Sequence, residues 1–392
     1  MKIPITKPYF GPEESQAIQK PLESGWVVQG PCVQAFEEAF AAYTDAPYAV
    51  ATSNCTSALH IAVAIMNLKP GDEVIVPAFT WVSTANVVEY MGAKPVFCDI
   101  DLETYNIDAG QIEALITPRT VGILPVHLFG LCADMKPIQE IAQRHGLWIV
   151  EDAACALGAL IDGQHAGTFG QAGCFSFHPR KSISTGEGGM LITTESWIDP
   201  KARILREHGA DRTDLSRHHS AYGFLLPEFH ELGFNYRMTD LQGAVGVEQM
   251  KRVDWILEQR SRIADRYHDA LQKIEWLRLP TVPAHHQHGY QSFVVLYAPE
   301  SPSLANVDWL HHQRNEFMQA LDEQGIMSRQ GTHAVTMTGY YREKYGLEAG
   351  SFPNAWLADR LSLALPLYPQ MTLEEHQYVC DHIQLWLPKS FA

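Results

Sequence analysis

The chain has 392 residues, 46% of them hydrophobic and 19% charged, and a formal net charge of −16. This is the profile of an ordinary soluble globular protein, long enough for two domains or for one large domain with an appendage. The acidic balance argues against a nucleic-acid or anionic-membrane partner, which would need clustered Lys and Arg, and still allows a locally positive pocket. Met1-Lys2-Ile3-Pro4-Ile5 is followed by Pro8 and Gly11, so no signal-peptide apolar core is expected, and no apolar run reaches spanning length. Seven cysteines, at positions 32, 55, 98, 132, 155, 174 and 380, show no paired metal spacing and read as reduced, mostly buried thiols of a cytoplasmic protein.

In chain order, strands are predicted at Tyr48 to Thr52, Glu73 to Pro77, Pro95 to Ile100, Val121 to Val126, Trp148 to Asp152, Gly173 to His178 and Met190 to Thr194. Several are continuous rather than alternating in hydrophobicity, the pattern of a mostly parallel sheet covered on both faces. Helices are predicted between them at Ser57 to Asn67, Thr84 to Met91, Ala109 to Ile116 and Met135 to His145. Such sheets bind ligands at the carboxyl ends of their strands, where Asp152 and the Ser176 to Lys181 segment fall.

A second region begins near Thr239. Thr239-Asp240-Leu241-Gln242 has the capping-box pattern, and helical periodicity continues through Trp255, Ile263 and Tyr267 towards Ile274, which predicts one long linking helix. Beyond it come Pro280, Pro283 and the turn His285-His286-Gln287-His288, then a strand at Gln291 to Tyr297, a helix from Asp308 to Gln324 and a final helix from Leu373 to Leu387. These form a small α/β domain. There is no internal repeat and no low-complexity linker. The His-rich turn lies between Pro283 and Gly289 and reads as exposed rather than as a metal site.

Lys181 lies in Phe175-Ser176-Phe177-His178-Pro179-Arg180-Lys181, ahead of Gly186-Glu187-Gly188-Gly189 and downstream of the acidic pair Glu151-Asp152 that ends an apolar stretch. An amine and a strand-end carboxylate in that arrangement suit pyridoxal phosphate (PLP), whose aldehyde needs one amine and whose pyridine nitrogen needs a carboxylate to stay protonated. Taken singly, each residue has a commoner explanation, a solvated surface lysine and a turn-capping aspartate. Ser53-Asn54-Cys55-Thr56-Ser57 precedes an apolar helix and offers either a plain N-cap or a phosphate cradle.

Read together, Glu151-Asp152-Ala153-Ala154, Phe175-Ser176-Phe177-His178, Gly186-Glu187-Gly188-Gly189 and Gly233-Phe234-Asn235-Tyr236-Arg237-Met238-Thr239-Asp240 resemble the sugar aminotransferases of the DegT/DnrJ/EryC1/StrS family, from Pro8 to Leu365-Pro366-Leu367. The resemblance implies the PLP-dependent transferase fold type I. Its large domain, residues 15–255, would carry a mostly parallel seven-stranded sheet, and residues 1–14 and 256–392 would form the small α/β domain. It implies that Lys181 bonds covalently to the cofactor and Asp152 holds the pyridine proton. Thr56, Ser57 and Ser176 would contact the phosphate, with Asn235 reaching it from the neighbouring subunit of a homodimer, and Trp81 would stack on the ring. Arg237, Arg329 and His333 would contact substrate, while His127, His178 and His208 are expected to be structural. Two positions depart from the common pattern: Cys55 stands where glycine is usual, and Cys155 where glutamine or histidine lies near the cofactor's hydroxyl. A thiol supplies only a weak hydrogen bond there.

The activity so implied is a two-step transamination from an amino acid, L-glutamate by analogy, to a keto sugar, in a cytoplasmic enzyme without a metal. The sugar would be nucleotide-linked or of the octulosonate type, destined for cell-surface polysaccharide, lipopolysaccharide or a glycosylated metabolite. Related sugar dehydratases use the same cofactor but carry histidine in place of the lysine, and a non-catalytic regulatory protein would have no need of Lys181, Asp152 and Ser176 together.

Overall fold

The computed structural model describes residues 1–212 and 224–389. Seven short strands build the main sheet: β1 (Tyr48–Thr52), β2 (Glu73–Pro77), β3 (Lys94–Cys98), β4 (Thr120–Ile123), β5 (Trp148–Asp152), β6 (Ala172–Ser176) and β7 (Gly189–Thr193). Their order is β1-β7-β6-β5-β4-β2-β3. β3, β2, β4, β5 and β6 run parallel, and β7 is antiparallel to both of its neighbours.

The continuous apolar runs have a direct cause. Successive side chains of a strand point to opposite faces, and here both faces are covered. Val74 and Val76 pack into one cluster with Leu59, Ile61 and Val88, while Ile75 between them packs against Ile138, Ile141 and Met135 of helix Met135–His145. β7 behaves the same way, with Leu191 on the first face and Met190 and Ile192 on the second. Each such fully buried aliphatic side chain contributes about 1.5–3 kcal/mol.

A second sheet is formed by β8 (Leu277–Arg278), β9 (Phe293–Tyr297), β10 (Arg329–Gln330) and β11 (Ser362–Leu365), ordered β8-β9-β11-β10 and antiparallel throughout. Its core joins Phe293, Val295 and Leu363 to Ile263 and Tyr267 of helix Val253–Leu271, to Phe317 of helix Val307–Glu323 and to Val379 of helix Leu373–Gln384. Ile3 lies in the same core, and its N–H bonds to the Gly325 carbonyl at 2.8 Å.

All seven predicted large-sheet strands are present, three of them with unchanged bounds. The predicted long helix is not continuous. It is two helices, Asp240–Met250 and Val253–Leu271. Arg252 leaves helical geometry at φ −121°, ψ 12°, reaches Glu13 at 3.0 Å and lies over the Tyr9 ring at 5.3 Å. The N-terminal segment therefore bends the chain there, and Trp255, expected on the apolar face, is exposed. The segment read as a helix from Ala109 to Ile116 is one α-turn, Ala109–Ile112, followed by a 3₁₀ turn. Helix Pro31–Thr44 carries no strong sequence signal. It is anchored by Asp240, whose carboxylate accepts the N–H groups of Gly30, Cys32 and Val33.

Candidate active site

The carboxyl ends of β2, β4, β5 and β6 are neighbours in the sheet and open onto one cavity of about 330 Å³. Thr80 and Trp81 follow β2, Leu128 and Phe129 follow β4, Asp152 ends β5 with Cys155 just beyond, and Ser176 ends β6 with Arg180 and Lys181 behind it. The second sheet closes the far side with Gln291, Ser292, Arg329 and Leu365.

Asp152 is held from below. Its Oδ2 accepts the Thr84 hydroxyl at 2.8 Å and its Oδ1 the Ala154 N–H at 3.1 Å, and Thr84 is braced by Thr80 at 3.1 Å. Burial pushes the carboxyl above the ordinary aspartate value, while those hydrogen bonds and nearby Lys181 pull it down. Glu151 points to the other side of the strand. It is fully buried and accepts the N–H groups of Gly167, Phe169 and Gly170 and the ring N–H of His127, all at 2.6–2.7 Å. His127 is thus structural, as expected.

Lys181 Nζ donates to Cys155 Sγ at 3.1 Å. Burial works against the ammonium, but Cys155, Cys55 and Asp152 outweigh it, and the amine's pKa lies above the ordinary lysine value. The atypical Cys155 thus places its thiol beside the lysine.

Helix Cys55–Ile65 starts at the cavity. Asn54 caps it, its Oδ1 accepting the Ser57 N–H at 2.9 Å and hydroxyl at 3.1 Å, and Thr56 Oγ1 bonds to Ser83 Oγ at 3.0 Å. The opening N–H groups of a helix have no partner inside it and attract an anion. The strand β7 approaches this turn so closely that a Cβ on Gly189 would fall 2.6 Å from Cys55 N. Glycine is required at 189, on the facing strand, and Cys55 is accommodated.

Trp81 is 49% exposed and lines the cavity, which is not the environment of a core tryptophan. Its ring lies 5.9 Å from His333, which sits at the rim rather than in the lining. Arg329 and Ser176 line the cavity. Asn235 and Arg237 do not line this chain's own cavity; Asn235 is bridged to Glu207, and Arg237 Nη1 stands 3.5 Å from Glu207. His178, expected to be structural, does line it, with a pKa lowered by burial and by Arg180. The His-rich turn is not wholly exposed either, because His288 is buried and stacked on Tyr290 at 4.1 Å.

Several lining residues escaped sequence reasoning: Thr6, Phe129, Arg180, Gln291 and Ser292. Phe129 sits at φ 58°, a region that costs a non-glycine residue about 1 kcal/mol or more. Only the position of Arg180 next to Lys181 was a signal available in the chain.

A buried carboxylate, a reachable amine, a hydroxyl-rich helix start and a half-exposed tryptophan on one wall suit PLP. Together with a parallel sheet meeting a smaller antiparallel one, they define a PLP-dependent transferase of fold type I. The chain belongs to the DegT/DnrJ/EryC1/StrS aminotransferase family, whose profile matches residues 8–384. It is 38% identical over 383 residues to the spore coat polysaccharide biosynthesis protein SpsC of Bacillus subtilis, covering 97% of this chain and 96% of that protein. Its structure is similar to that of the putative sugar aminotransferase Spr1654 from Streptococcus pneumoniae in its PMP form (TM-score 0.89, 26% identity, 97% and 98% of the two chains). It is also similar to DesV of S. venezuelae (TM-score 0.86, 30% identity, 98% of each chain). The protein is therefore a PLP-dependent aminotransferase. No helix among the described residues is long and apolar enough to cross a membrane.

Proposed function

We propose that this aminotransferase moves the amino group of L-glutamate to a keto sugar used in building a surface polysaccharide, lipopolysaccharide or glycosylated metabolite. One observation carries the reading: Lys181 and Asp152 open onto one cavity beyond adjacent strand ends in a chain that matches the family over residues 8–384. The names of SpsC and Spr1654, a polysaccharide biosynthesis protein and a putative sugar aminotransferase, support the sugar.

Bound PLP supplies an electron sink for the carbanion at the donor's α-carbon. Asp152 keeps the proton on the pyridine nitrogen. Lys181 would hold the cofactor through Nζ and, once freed, would use the same Nζ to carry the proton from the donor's α-carbon to the cofactor's C4′ and, in the acceptor half, from C4′ to the acceptor's carbon. Thr56, Ser57 and Ser176 bind the phosphate, Trp81 covers the ring, Arg329 and His333 bind substrate, and Arg237, which lies off its own chain's cavity, contacts substrate in the site of a partner copy. Asn235 serves the site of a partner copy in a homodimer. That assembly is supported by Asn235 lying off its own chain's cavity and by the exposed apolar residues Leu225, Leu226, Phe229 and Leu232 just ahead of it. Residues 15–255 act as the cofactor-binding domain, with 1–14 and 256–392 as the small domain. Seven unpaired thiols support a cytoplasmic setting.

The test is spectroscopic. L-Glutamate added to the PLP-loaded protein should bleach the cofactor's visible absorbance, and 2-oxoglutarate should restore it. Candidate acceptors, nucleotide-linked 3-keto and 4-keto 6-deoxy sugars and an 8-oxo octulosonate, are then screened for the same recovery. Absence of any response to glutamate would remove the donor, and recovery with no keto sugar would remove the acceptor class.

A further inference from the structure

Among the described residues Arg206, Arg260 and Arg314 are fully buried. Arg206 holds Glu37 at 2.6 Å, whereas Arg260 and Arg314 are bonded to backbone carbonyls. Arg260 Nη1, on helix Val253–Leu271, donates to the Tyr290 carbonyl at 3.2 Å and to the Gln291 carbonyl at 3.1 Å. A guanidinium withdrawn from water without an anion is costly, and burial lowers its pKa to about 10. Packing alone does not call for a cation there, since an apolar side chain of similar volume would serve as well. What the cation holds is the backbone of residues 290 and 291.

That backbone belongs to a segment crossing between the two sheets. The Gly289 N–H reaches the Gly130 carbonyl at 2.7 Å and the Ser292 N–H the Phe129 carbonyl at 3.2 Å, beyond the end of β4. The approach is so close that a Cβ on Gly130 would fall 2.9 Å from the Tyr290 and Gln291 nitrogens. Tyr290 stands at φ 41°, a conformation that a non-glycine residue keeps only under restraint. Its N–H is taken by His288 Nδ1 at 2.8 Å and its carbonyl by Arg260. The Gln291 side chain then spans to the cavity floor: Nε2 donates to the Arg180 carbonyl at 2.6 Å, and Oε1 accepts the Ser292 hydroxyl at 3.1 Å. The next residue after that carbonyl is Lys181.

We infer that Arg260 is a positioning residue for Lys181: it fixes Gln291, and the Gln291 amide fixes the backbone from which the lysine reaches the cavity. This rests on the aminotransferase reading above, in which one amine must meet both the cofactor and a substrate carbon.

The test is hydrogen exchange, read peptide by peptide by mass spectrometry on the PLP-loaded full-length protein, together with the rate of PLP release read by absorbance after dilution. Gln291→Met keeps the side chain's length and removes its donor. It should speed exchange at the Arg180 and Lys181 N–H groups, which bond to His178 at 3.2 and 2.8 Å, and leave β5 and β6 unchanged. PLP should leave about threefold to tenfold faster, the span of one net hydrogen bond. Arg260→Met should have the same two effects, add nothing to them in the double variant, and be partly reversed in Arg260→Lys, which still offers the carbonyls a donor. Should Arg260→Met not fold, Arg260→Lys with Gln291→Met completes the cycle. The inference is overturned if Gln291→Met leaves both readings at the parent's values, or if the Arg260 and Gln291 effects multiply in the double variant. It is equally overturned if Arg260→Met raises exchange across the second sheet while the Lys181 stretch and PLP release stay as in the parent, the signature of lost packing alone. No amino acid enters either measurement, so a failure of glutamate or of any keto sugar to react would count against the proposed function and leave this tie standing.

Discussion

Replacing Glu151, the silent neighbour of Asp152, should unfold the protein more readily than replacing Asp152 itself. Its carboxylate is fully buried and receives four donors: the N–H groups of Gly167, Phe169 and Gly170 and Nε2–H of His127. The His127 proton cannot shift to Nδ1, because that atom already accepts the Ala133 N–H at 3.0 Å. Glu151→Ala therefore strands four buried donors. At about 1–3 kcal/mol for each unsatisfied group, partly relieved by water entering the space, the loss comes to about 4 kcal/mol, at the upper end of single-substitution effects. Glu151→Gln keeps the volume but turns an amide NH₂ towards at least one donor, and should still cost about 2–3 kcal/mol. Equilibrium urea unfolding of the PLP-free protein, followed by tryptophan fluorescence, measures both. A Glu151→Gln variant within about 0.5 kcal/mol of the parent would refute the accounting, since that is the scatter of ordinary surface substitutions.

Lys181→Ala should abolish transamination with the urea midpoint little changed, because among the described residues the amine donates only to Cys155; near-normal turnover in the purified variant would end the assignment. Asp152→Asn should still bind PLP but transaminate roughly a hundredfold or more slowly, with the loss in kcat rather than KM; equal rates would rule the role out. Mixing Lys181→Ala with Asn235→Asp under conditions of subunit exchange should restore part of the activity, since one site of each mixed dimer keeps both residues. No recovery despite demonstrated exchange, or an active monomer, would defeat the shared site. Stability should also fall on acidification below about pH 6.5. Burial lowers the pKa of His165 and His376 to about 4 and that of His288 to about 3. Between those values and the unfolded value near 6.5 the unfolded chain binds more protons, so each histidine costs about 1.4 kcal/mol per pH unit as pH falls. Urea midpoints that stay level from pH 7 to pH 5 would contradict this.

The sequence by itself determined what depends on local pattern. Continuous apolar runs such as Glu73–Pro77 and Trp148–Asp152 indicated strands buried on both faces, and the ordered words around Asp152, Ser176 and Lys181 named a cofactor site at their ends. Periodicity records which side of a segment meets the core; it carries no information about which distant segment arrives there. Tertiary structure alone decided that Glu13 and Tyr9 break the helix at Arg252, that Asp240 anchors helix Pro31–Thr44, and that Phe129 is forced to positive φ on the cavity wall. It also decided the partners of the charges. Arg237 was engaged by Glu207 outside its own chain's cavity, while Arg180 and Arg329, 149 positions apart in the chain, were brought to one cavity. Ion pairing depends on distances of a few ångströms across such separations, and those distances exist only once the two sheets have packed against each other.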